Sequence, residues 1–255
     1  MYEPIKSLGQ NFLSDPVVVY SMVNNLNLQN NDVVVEIGPG LGALTTELVT
    51  QLPDGDARIY AVDVDKRFVD KLTNMFVEDM TIKIVEADIL DWLPSFDPGR
   101  SFKILGSLPY YITSPIIHTI IKLKIQPSIC VLLIQEEVAQ KICSQTGDHS
   151  YMSAIVQTFY DATLLDKVNR TKFDPEPGVD GRVIKLVKKS TSPIPVELIS
   201  KYEGFLHKGF SNTRKMLNKV FTKDELALVN LDSSLRPEDV SVEKWVELFF
   251  ALNKF

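Results

Sequence analysis

The sequence predicts an α/β domain, with a parallel sheet covered by helices on both faces, followed by a small helical domain. Short apolar segments alternate with helical ones roughly every 20–25 residues over the first half of the chain, which is the pattern of a parallel sheet. The segment Ser190–Pro195 is rich in Ser and Pro and precedes a helical remainder. We therefore expect one domain over residues 1–190 and a second over 191–255.

Length and composition are those of an ordinary globular protein. The 255 residues, 45% hydrophobic and 24% charged, exclude collagenous, coiled-coil and largely disordered chains. No apolar run approaches the ~20 residues of a membrane span, and the N-terminus lacks the basic and apolar regions of a signal peptide. Cys130 and Cys143 are too few for a disulfide framework or a metal-binding knuckle. We expect a cytoplasmic protein without a membrane anchor or a bound metal.

Charge is distributed unevenly along the chain. The net charge is -6, yet residues 1–181 hold 14 Lys and Arg against 24 Asp and Glu, whereas residues 182–255 hold 13 against 9. A basic end on an acidic body is typical of a polyanion contact at that end, and equally of an ordinary solvated helical face. Four cations of this end have near-helical spacing, which leaves both interpretations open. The four are Lys208, Arg214, Lys215 and Lys219.

Local signals predict the individual elements. Ser14-Asp15-Pro16 places capping side chains before a proline in the first turn, which predicts a helix to about residue 26. Apolar runs predict strands at 33–37, 58–62, 82–85, 102–105 and 129–134, with strand-like pieces at 153–159, 163–168 and 181–188. Further helices are predicted at 43–52, 66–77, from Ser114-Pro115 onward, and at 135–142, 196–208, 211–220, 223–229 and 241–252.

A glycine-rich turn, residues 36–42 (Glu-Ile-Gly-Pro-Gly-Leu-Gly), joins the first of these strands to its helix. Gly38 and Gly40 permit a positive φ and a close approach of the backbone to a ligand. A dinucleotide site uses a similar loop, but here the acidic Glu36 precedes the first glycine and Pro39 separates the pair. These features favour a ligand that carries positive charge and no phosphate, such as S-adenosylmethionine.

Acidic residues also end the next two strands. Asp63 ends the second strand, where a carboxylate can accept hydrogen bonds from both ribose hydroxyls of a nucleoside, and Asp65 is the weaker candidate. Asp88 ends the third strand, where it can bond an adenine amino group. Asp is common at strand ends, so a single such residue needs no functional explanation. Chance alone explains poorly that Glu36, Asp63 and Asp88 lie at or near the ends of three successive strands.

The fourth strand ends in Ser107-Leu108-Pro109-Tyr110, which resembles the tetrapeptide that amino methyltransferases carry at this position: Asn, Asp or Ser, then an apolar residue or Pro, then Pro and Tyr or Phe. The resemblance implies that the target is an amine such as the exocyclic amine of adenine. An exocyclic adenine amine is a poor nucleophile because its lone pair is conjugated with the ring. Two acceptors, the Ser107 side chain and the Leu108 carbonyl, can draw that nitrogen toward a tetrahedral geometry. Pro109 fixes the local backbone, and Tyr110 offers a face on which a base can stack, worth ~1–3 kcal/mol. A rigid turn with a core tyrosine is the alternative interpretation.

Together these motifs resemble the KsgA family of rRNA adenine dimethyltransferases. The resemblance covers nearly the whole chain in order and extends to residues 8–13 (Leu-Gly-Gln-Asn-Phe-Leu), 173–180, 210–215 and 236–245. It implies a Rossmann-like class I methyltransferase sheet and a C-terminal helical domain that contacts RNA. It also implies direct methyl transfer, without a metal, to two adjacent adenosines near the 3′ end of small-subunit rRNA.

The resemblance further assigns residues to two sides of one site. The cofactor S-adenosylmethionine would be held by Asn11, Leu13, Glu36, Gly38, Gly40, Asp63, Val64, Asp88, Ile89 and Ser107. The target adenosine would be met by Ser107, Leu108, Pro109, Tyr110 and Phe173. The resemblance also implies a monomer that acts on the pre-assembled small ribosomal subunit during ribosome biogenesis.

Several departures from the family pattern bear on RNA affinity and catalytic strength. Besides Ser107 and Glu136 they are His149-Ser150, Asn169-Arg170 and Gly181. Ser107 stands where the family nearly always has Asn, which keeps an acceptor but shortens its reach, and Glu136 replaces a basic residue. Two alternatives therefore accompany the leading hypothesis. One is a resistance-type methyltransferase of large-subunit rRNA, which residues 236–245 resemble less well. The other is a catalytically weak ribosome-assembly factor that keeps the cofactor loop.

Overall fold

A computed structural model describes residues 3–5 and 9–253. The strands of this part of the chain are β1 (Phe12–Leu13), β2 (Val33–Ile37), β3 (Arg58–Asp63), β4 (Ile82–Glu86), β5 (Phe102–Ser107), β6 (Ile129–Gln135), β7 (Tyr160–Val168), β8 (Phe173–Asp174) and β9 (Gly181–Lys188). Its α-helices are α1 (Pro16–Asn24), α2 (Ala43–Gln51), α3 (Lys66–Met75), α4 (Ile89–Trp92), α5 (Thr113–Lys122), α6 (Glu136–Ile142), α7 (Tyr151–Phe159), α8 (Ile199–Gly209), α9 (Lys223–Ala227) and α10 (Val242–Asn253).

Seven strands form one mixed sheet in the order β4-β3-β2-β5-β6-β9-β7. The strands from β4 to β6 run parallel to their neighbours, and β9 joins β6 antiparallel. β1 and β8 form a separate antiparallel pair, with Leu13 opposite Phe173. The order reverses between β2 and β5, so the carboxyl ends of these two strands border a crevice at the switch point. The predicted α/β fold class is confirmed.

β2 lies in the middle of the parallel strands and all five of its residues are buried. Val34 and Val35 are fully buried, as expected for a strand of a parallel sheet that is covered on both faces. Glu36 is equally buried, although it is charged at neutral pH in ordinary surroundings. The sheet therefore encloses one acidic side chain directly before the glycine-rich turn.

The chain divides into two compact units. The first comprises Met1–Ala139 and Thr163–Lys188, and the second comprises Gln140–Ala162 and Lys189–Phe255. The change at Lys189 lies beside the predicted boundary between residues 190 and 191. The inclusion of residues 140–162 in the second unit has no counterpart in the prediction. It follows from α7, which packs against α8 and α10 within that unit.

Two predicted elements are wrong. Residues 153–159 are not a strand but part of α7, which begins with a capping box in which Ser150 and Ser153 bond each other's backbone N–H groups. Most of α7 is buried, and a short, largely buried helix resembles a buried strand in its run of apolar residues. Residues 211–220 form turns and one 3₁₀ segment, Leu217–Lys219, instead of an α-helix. The run Ser211-Asn212-Thr213 supplies side chains that compete for backbone groups.

Trp245 occupies the centre of the second unit's core. Its side chain is fully buried, and its ring centroid lies 5.2 Å from that of Phe210 and 5.9 Å from that of Phe205. Gly209, at the end of α8, lies against the same indole, because a Cβ there would be 2.5 Å from Trp245 Cη2. The absence of a side chain at position 209 thus creates the space that the tryptophan fills.

Two kinds of feature are absent from the described residues. None of their helices combines the length and the hydrophobicity that a bilayer crossing needs. No three of their His, Cys, Asp and Glu side chains are grouped so as to hold a metal ion.

We predict that Gly209→Ala destabilises the protein by about 1–3 kcal/mol, because the new methyl group overlaps the indole of Trp245. Gly204→Ala on the same helix is the matched control, since a Cβ there meets no atom within 4 Å. The control should be neutral or slightly stabilising, because alanine favours helix more than glycine does. Urea denaturation followed by circular dichroism measures both variants. Equal stabilities would contradict the packing described for Trp245.

Candidate active site

A cavity lies at the carboxyl ends of β2, β3, β4 and β5, beside the point where the strand order reverses. Its walls are the loops after these strands, together with β1 and β8. The cavity brings together all but one of the residues that the sequence predicted for the site: Asn11, Leu13, Gly38, Gly40, Asp63, Val64, Asp88, Ile89, Ser107, Leu108, Pro109, Tyr110 and Phe173. The exception is Glu36, which does not line it.

The glycines of the turn after β2 serve separate purposes. Gly38 has φ +65°, and a Cβ there would meet no atom within 4 Å, so this position faces open space in the cavity. Gly40 has φ +53°, and a Cβ there would lie 3.1 Å from Phe12 Cδ1. Both glycines adopt the left-handed conformation that other residues rarely take. Gly40 also leaves room for Phe12, whose ring packs edge-on against Phe68 with centroids 5.4 Å apart.

The Asp63 carboxylate joins the turn after β2 to the turn after β3. Its Oδ2 accepts a hydrogen bond from the Gly40 N–H at 3.1 Å, and its Oδ1 accepts one from the Asp65 N–H at 2.8 Å. Burial raises the pKa of Asp63, while these backbone donors act in the opposite direction. Each carboxylate oxygen can accept further hydrogen bonds. Asp63 is therefore fixed in place and keeps acceptor capacity toward the cavity.

The two other acidic candidates, Asp65 and Asp88, differ in whether their side chains line the cavity. Asp65 does not line the cavity; it caps α3, and the Arg67 guanidinium 2.6 Å away lowers the pKa of Asp65 to about 2. Asp88 lines the cavity, and its Oδ1 accepts a hydrogen bond from the Leu90 N–H at 2.8 Å at the start of α4. Asp65 thus has a structural role, and Asp88 remains available to a ligand.

Glu36 lies beneath the glycine-rich turn, fully buried, and neither carboxylate oxygen has a hydrogen-bond partner within the described residues. Burial raises the pKa of Glu36 to about 8, the Thr45 hydroxyl acts in the opposite direction, and the Asp63 carboxylate adds to the rise. The side chain is therefore largely protonated at neutral pH. Its predicted contact with a cofactor stays a prediction.

The turn after β5 presents the second set of polar groups. The Leu108 N–H donates a hydrogen bond to the Leu133 carbonyl at 2.9 Å, which fixes the turn on β6. Ser107 Oγ makes no hydrogen bond to another described residue, so it can accept one from a ligand. Tyr110 begins a 3₁₀ turn, Tyr110–Ile112, and is half-buried. These groups face the same cavity as Asp63.

Phe173 enters the cavity from β8 and is only 6% exposed. Its position depends on the N-terminal segment, because β8 pairs with β1 and the Ser14 N–H donates a hydrogen bond to the Lys172 carbonyl at 2.9 Å. The Lys172 ammonium lies 2.6 Å from the Asp15 carboxylate, which also caps α1. Residues predicted for the cofactor side and the target side are thus linked by one short ladder.

Glu136, the acidic departure from the family pattern, is neutralised within the first unit. Arg182 of β9 binds its carboxylate in a bidentate manner, with Nη2–Oε1 2.9 Å and Nε–Oε2 3.0 Å. Both side chains are largely buried, and the Arg182 Nη1 also donates a hydrogen bond to the Leu165 carbonyl at 2.9 Å. A bidentate Arg–carboxylate pair is among the stronger ion-pair geometries.

Sequence reasoning did not single out three aromatic residues of the cavity, namely Phe12, Phe68 and Tyr111. Phe12 forms part of the wall beside the glycine-rich turn, and Tyr111 lies next to Tyr110 at the rim. The signal for Phe12 was Gly40, since the missing Cβ is where its ring packs. Tyr111 carries no such signal, because a second tyrosine in a turn is as compatible with packing as with function.

The cavity fits S-adenosylmethionine on structural grounds. The open space at Gly38 can receive a ligand close to the backbone, and Asp63 offers a fixed carboxylate to a ribose. The acidic groups suit a cationic ligand, and no Lys or Arg lines the cavity within the described residues. The fold and the cavity define an S-adenosylmethionine-dependent methyltransferase of the Rossmann-like class.

The particular family follows from the sequence match. The family described as "Ribosomal RNA adenine dimethylase" matches residues 4–254, and the chain belongs to this family. A relative named "Ribosomal RNA small subunit methyltransferase A" from Sulfurihydrogenibium sp. (strain YO3AOP1) is 33% identical over 252 residues, covering 97% of this chain and 95% of the relative. A relative of the same name from Halothermothrix orenii is 36% identical over 247 residues, covering 92% and 79%.

Solved structures share the fold over nearly the whole chain. A dimethyladenosine transferase from Plasmodium falciparum superposes with a TM-score of 0.81 at 23% identity, covering 95% of this chain and 98% of that one. The 23S rRNA methyltransferase ErmE superposes with a TM-score of 0.76, also at 23% identity, covering 95% and 100%. At these identities the likeness concerns the fold.

We predict that Glu36 makes stability depend on pH. In the folded protein its pKa is about 8, against an ordinary value of 4.5. The folded state therefore retains a proton that the unfolded state has released, so stability falls as the pH rises from about 4.5 to about 8. Glu36→Gln should remove most of this loss, leaving the smaller slope from Asp63, whose pKa is also raised.

Thermal denaturation between pH 5 and pH 8.5 measures this dependence, and Glu78→Gln is the control at an exposed position. The control should keep the wild-type slope of Tm against pH. Parallel curves of Tm against pH for the wild type and Glu36→Gln would show that Glu36 is not the source of the pH dependence of stability.

Proposed function

We propose that this enzyme dimethylates the N6 amino groups of two adjacent adenosines near the 3′ end of small-subunit rRNA. The observation that carries the proposal is the Ser107–Tyr110 turn in the same cavity as Asp63, which sets an amine-binding group beside a nucleoside-binding one. The relatives named as small-subunit methyltransferases, which cover 92% and 97% of the chain, support the choice of subunit. In this proposal the protein acts as a cytoplasmic monomer on the pre-assembled small subunit.

The cofactor side of the mechanism uses the residues after β2, β3 and β4. Asp63 accepts hydrogen bonds from the ribose hydroxyls, and Asp88 binds the adenine amino group. Asn11, Leu13, Val64 and Ile89 form walls around these groups, and Gly38 and Gly40 allow the backbone to approach. When bound, S-adenosylmethionine supplies a methyl group activated by its sulfonium.

The target side uses the turn after β5. Ser107 Oγ and the Leu108 carbonyl accept hydrogen bonds from the adenosine amine, Pro109 fixes the turn, and the rings of Tyr110 and Phe173 hold the base. The two acceptors would aim the lone pair of the amine nitrogen at the methyl group that S-adenosylmethionine would supply, and the amine proton would leave to water. No general base is needed. Glu36, largely protonated beneath the loop, does not enter the reaction.

Ser107 is the residue on which a second candidate function rests, and the relatives named as methyltransferases do not favour that function. The Ser107 side chain is shorter than the Asn of the family, so the acceptor lies farther from the amine, and a binding protein with little turnover would retain the other residues of the cavity. Such a ribosome-assembly factor would bind S-adenosylmethionine and small subunits alike. Large-subunit methylation has less support, because the likeness to ErmE at 23% identity concerns the fold.

The second unit offers a surface for rRNA phosphates. Residues 204–223 contain five Lys and Arg and no Asp or Glu. All five are exposed, and none forms a salt bridge with a described residue; they are Lys208, Arg214, Lys215, Lys219 and Lys223. Cations of one segment that form no salt bridge are available to release counterions from a phosphate backbone. Residues 211–216 are not helical, so these cations do not lie along one face of a helix as their spacing suggested.

We predict methyl transfer from labelled S-adenosylmethionine to undermethylated small subunits, with primer extension blocked at two adjacent adenosines near the 3′ end. Tyr110→Ala should lower kcat/KM by about 5- to 150-fold with unchanged cofactor affinity, because the base can no longer stack on an aromatic ring there. Asp63→Ala should weaken cofactor binding instead. Cofactor binding without label on small subunits would favour the assembly factor, and label on large subunits would favour the ErmE-like target.

We predict that the triple variant Arg214→Gln, Lys215→Gln and Lys219→Gln reduces the salt dependence of small-subunit binding. The log–log slope should fall by about one for each phosphate that the protein no longer neutralises. The matched control changes Lys83, Lys124 and Lys188 to Gln, which removes the same charge from exposed positions of the first unit. Binding measured between about 50 and 300 mM salt compares the two. An equal change in slope for both variants would reject a localised phosphate contact.

A further inference from the structure

Tyr111 is an exposed aromatic residue at the rim of the active-site cavity. It lines the cavity together with Tyr110, yet 57% of its surface is exposed. A large aromatic ring in this position presents apolar area to water beside the place where a nucleic-acid base would enter. Tyr111 has no role in the proposed mechanism.

One side of the Tyr111 ring lies against the backbone of Gly9. If Gly9 carried a Cβ, that atom would lie 3.2 Å from both Cδ1 and Cε1 of Tyr111 and 3.5 Å from Pro109 Cβ. Gly9 has φ +60°, so the backbone of the N-terminal segment passes close to the ring without a side chain between them. Tyr111 is thus held in place with one part of its ring against protein and the rest open to solvent.

Tyr110 and Tyr111 are consecutive residues of the 3₁₀ turn Tyr110–Ile112. Successive side chains of a 3₁₀ helix are separated by roughly 120° about its axis, since there are three residues per turn. The two rings therefore point in different directions from one short segment: Tyr110 is half-buried in the cavity, and Tyr111 lies at its rim. This arrangement suits two consecutive bases rather than one.

We propose that Tyr111 stacks on the nucleotide adjacent to the target adenosine. Enzymes that modify a base take it out of the stack, which leaves the neighbouring base without one of its partners. The open part of the Tyr111 ring can replace that partner, and any base can stack there because every base has a π-face. The inference rests on the proposed function and adds a substrate-binding contact to it, since the enzyme then binds the neighbouring nucleotide as well as the target adenosine.

The test compares Tyr111→Ala, Tyr111→Phe and Tyr20→Ala in methyl transfer to undermethylated small subunits. Tyr20 is the matched control, because it is also 57% exposed but does not line the cavity. We expect Tyr111→Ala to raise KM for the subunits by about 5- to 150-fold, the equivalent of one base–aromatic stack. Tyr111→Phe should restore the wild-type KM, and KM for S-adenosylmethionine should not change. A KM for Tyr111→Ala equal to that of Tyr20→Ala would overturn the proposal.

A binding measurement separates this proposal from the proposed function. A short single-stranded RNA with 2-aminopurine next to an adenosine reports stacking through quenched fluorescence, independently of methyl transfer. Quenching should be retained in Tyr111→Phe and abolished in Tyr111→Ala. Equal quenching in Tyr111→Ala and the wild type would reject the stack. Absence of methyl transfer by the wild-type enzyme would reject the proposed function, and the fluorescence would still decide the role of Tyr111.

Discussion

The geometry of the site depends on the Asp63 carboxylate. Its two oxygens accept hydrogen bonds from Gly40, in the turn after β2, and from Asp65, in the turn after β3. The two loops at the switch point are thereby held by one side chain, which is buried to 9% exposure and has a raised pKa. Because carboxylate oxygens accept several hydrogen bonds, the same group can order the loops and bind a ribose. A neutral amide at this position would replace one of the two acceptors with a donor.

A second constraint links the N-terminal segment to Phe173, whose ring lines the cavity. β1 and β8 are only two residues long, and a ladder of this size is not stable on its own. The Lys172–Asp15 ion pair, the bond from Ser14 to the Lys172 carbonyl and the packing of Phe12 on Gly40 hold it in place. The wall beside the cofactor and Phe173 therefore form one assembly within the first unit. Loosening β1 would disturb both sides of the cavity.

Much of the fold and site could be predicted from the sequence because the signals were local. The alternating strands and helices of the parallel sheet, the glycine-rich turn and the residues after β3, β4 and β5 each follow from short motifs. Helix α7 could not be predicted, since its buried surface depends on α8 and α10, which lie far along the chain. The burial of Glu36 depends likewise on strands at both sides of β2. Spacing placed this residue near the cofactor loop, and only three-dimensional packing shows that it lies beneath it.

Two of the departures from the family pattern, Glu136 and Ser107, differ in their consequences, for a physical reason. Glu136 introduces a charge, and an uncompensated charge at a largely buried position is costly, so its effect depends on a partner. Arg182 is that partner, since it binds the Glu136 carboxylate in a bidentate manner within the same unit. The charge that the substitution introduces is therefore neutralised locally. Ser107 introduces no charge, and its Oγ makes no hydrogen bond to another residue that the structure describes. In the proposed mechanism its effect falls on the distance between the acceptor and the amine nitrogen, because Ser107 is one of the two acceptors that are proposed to hold that amine.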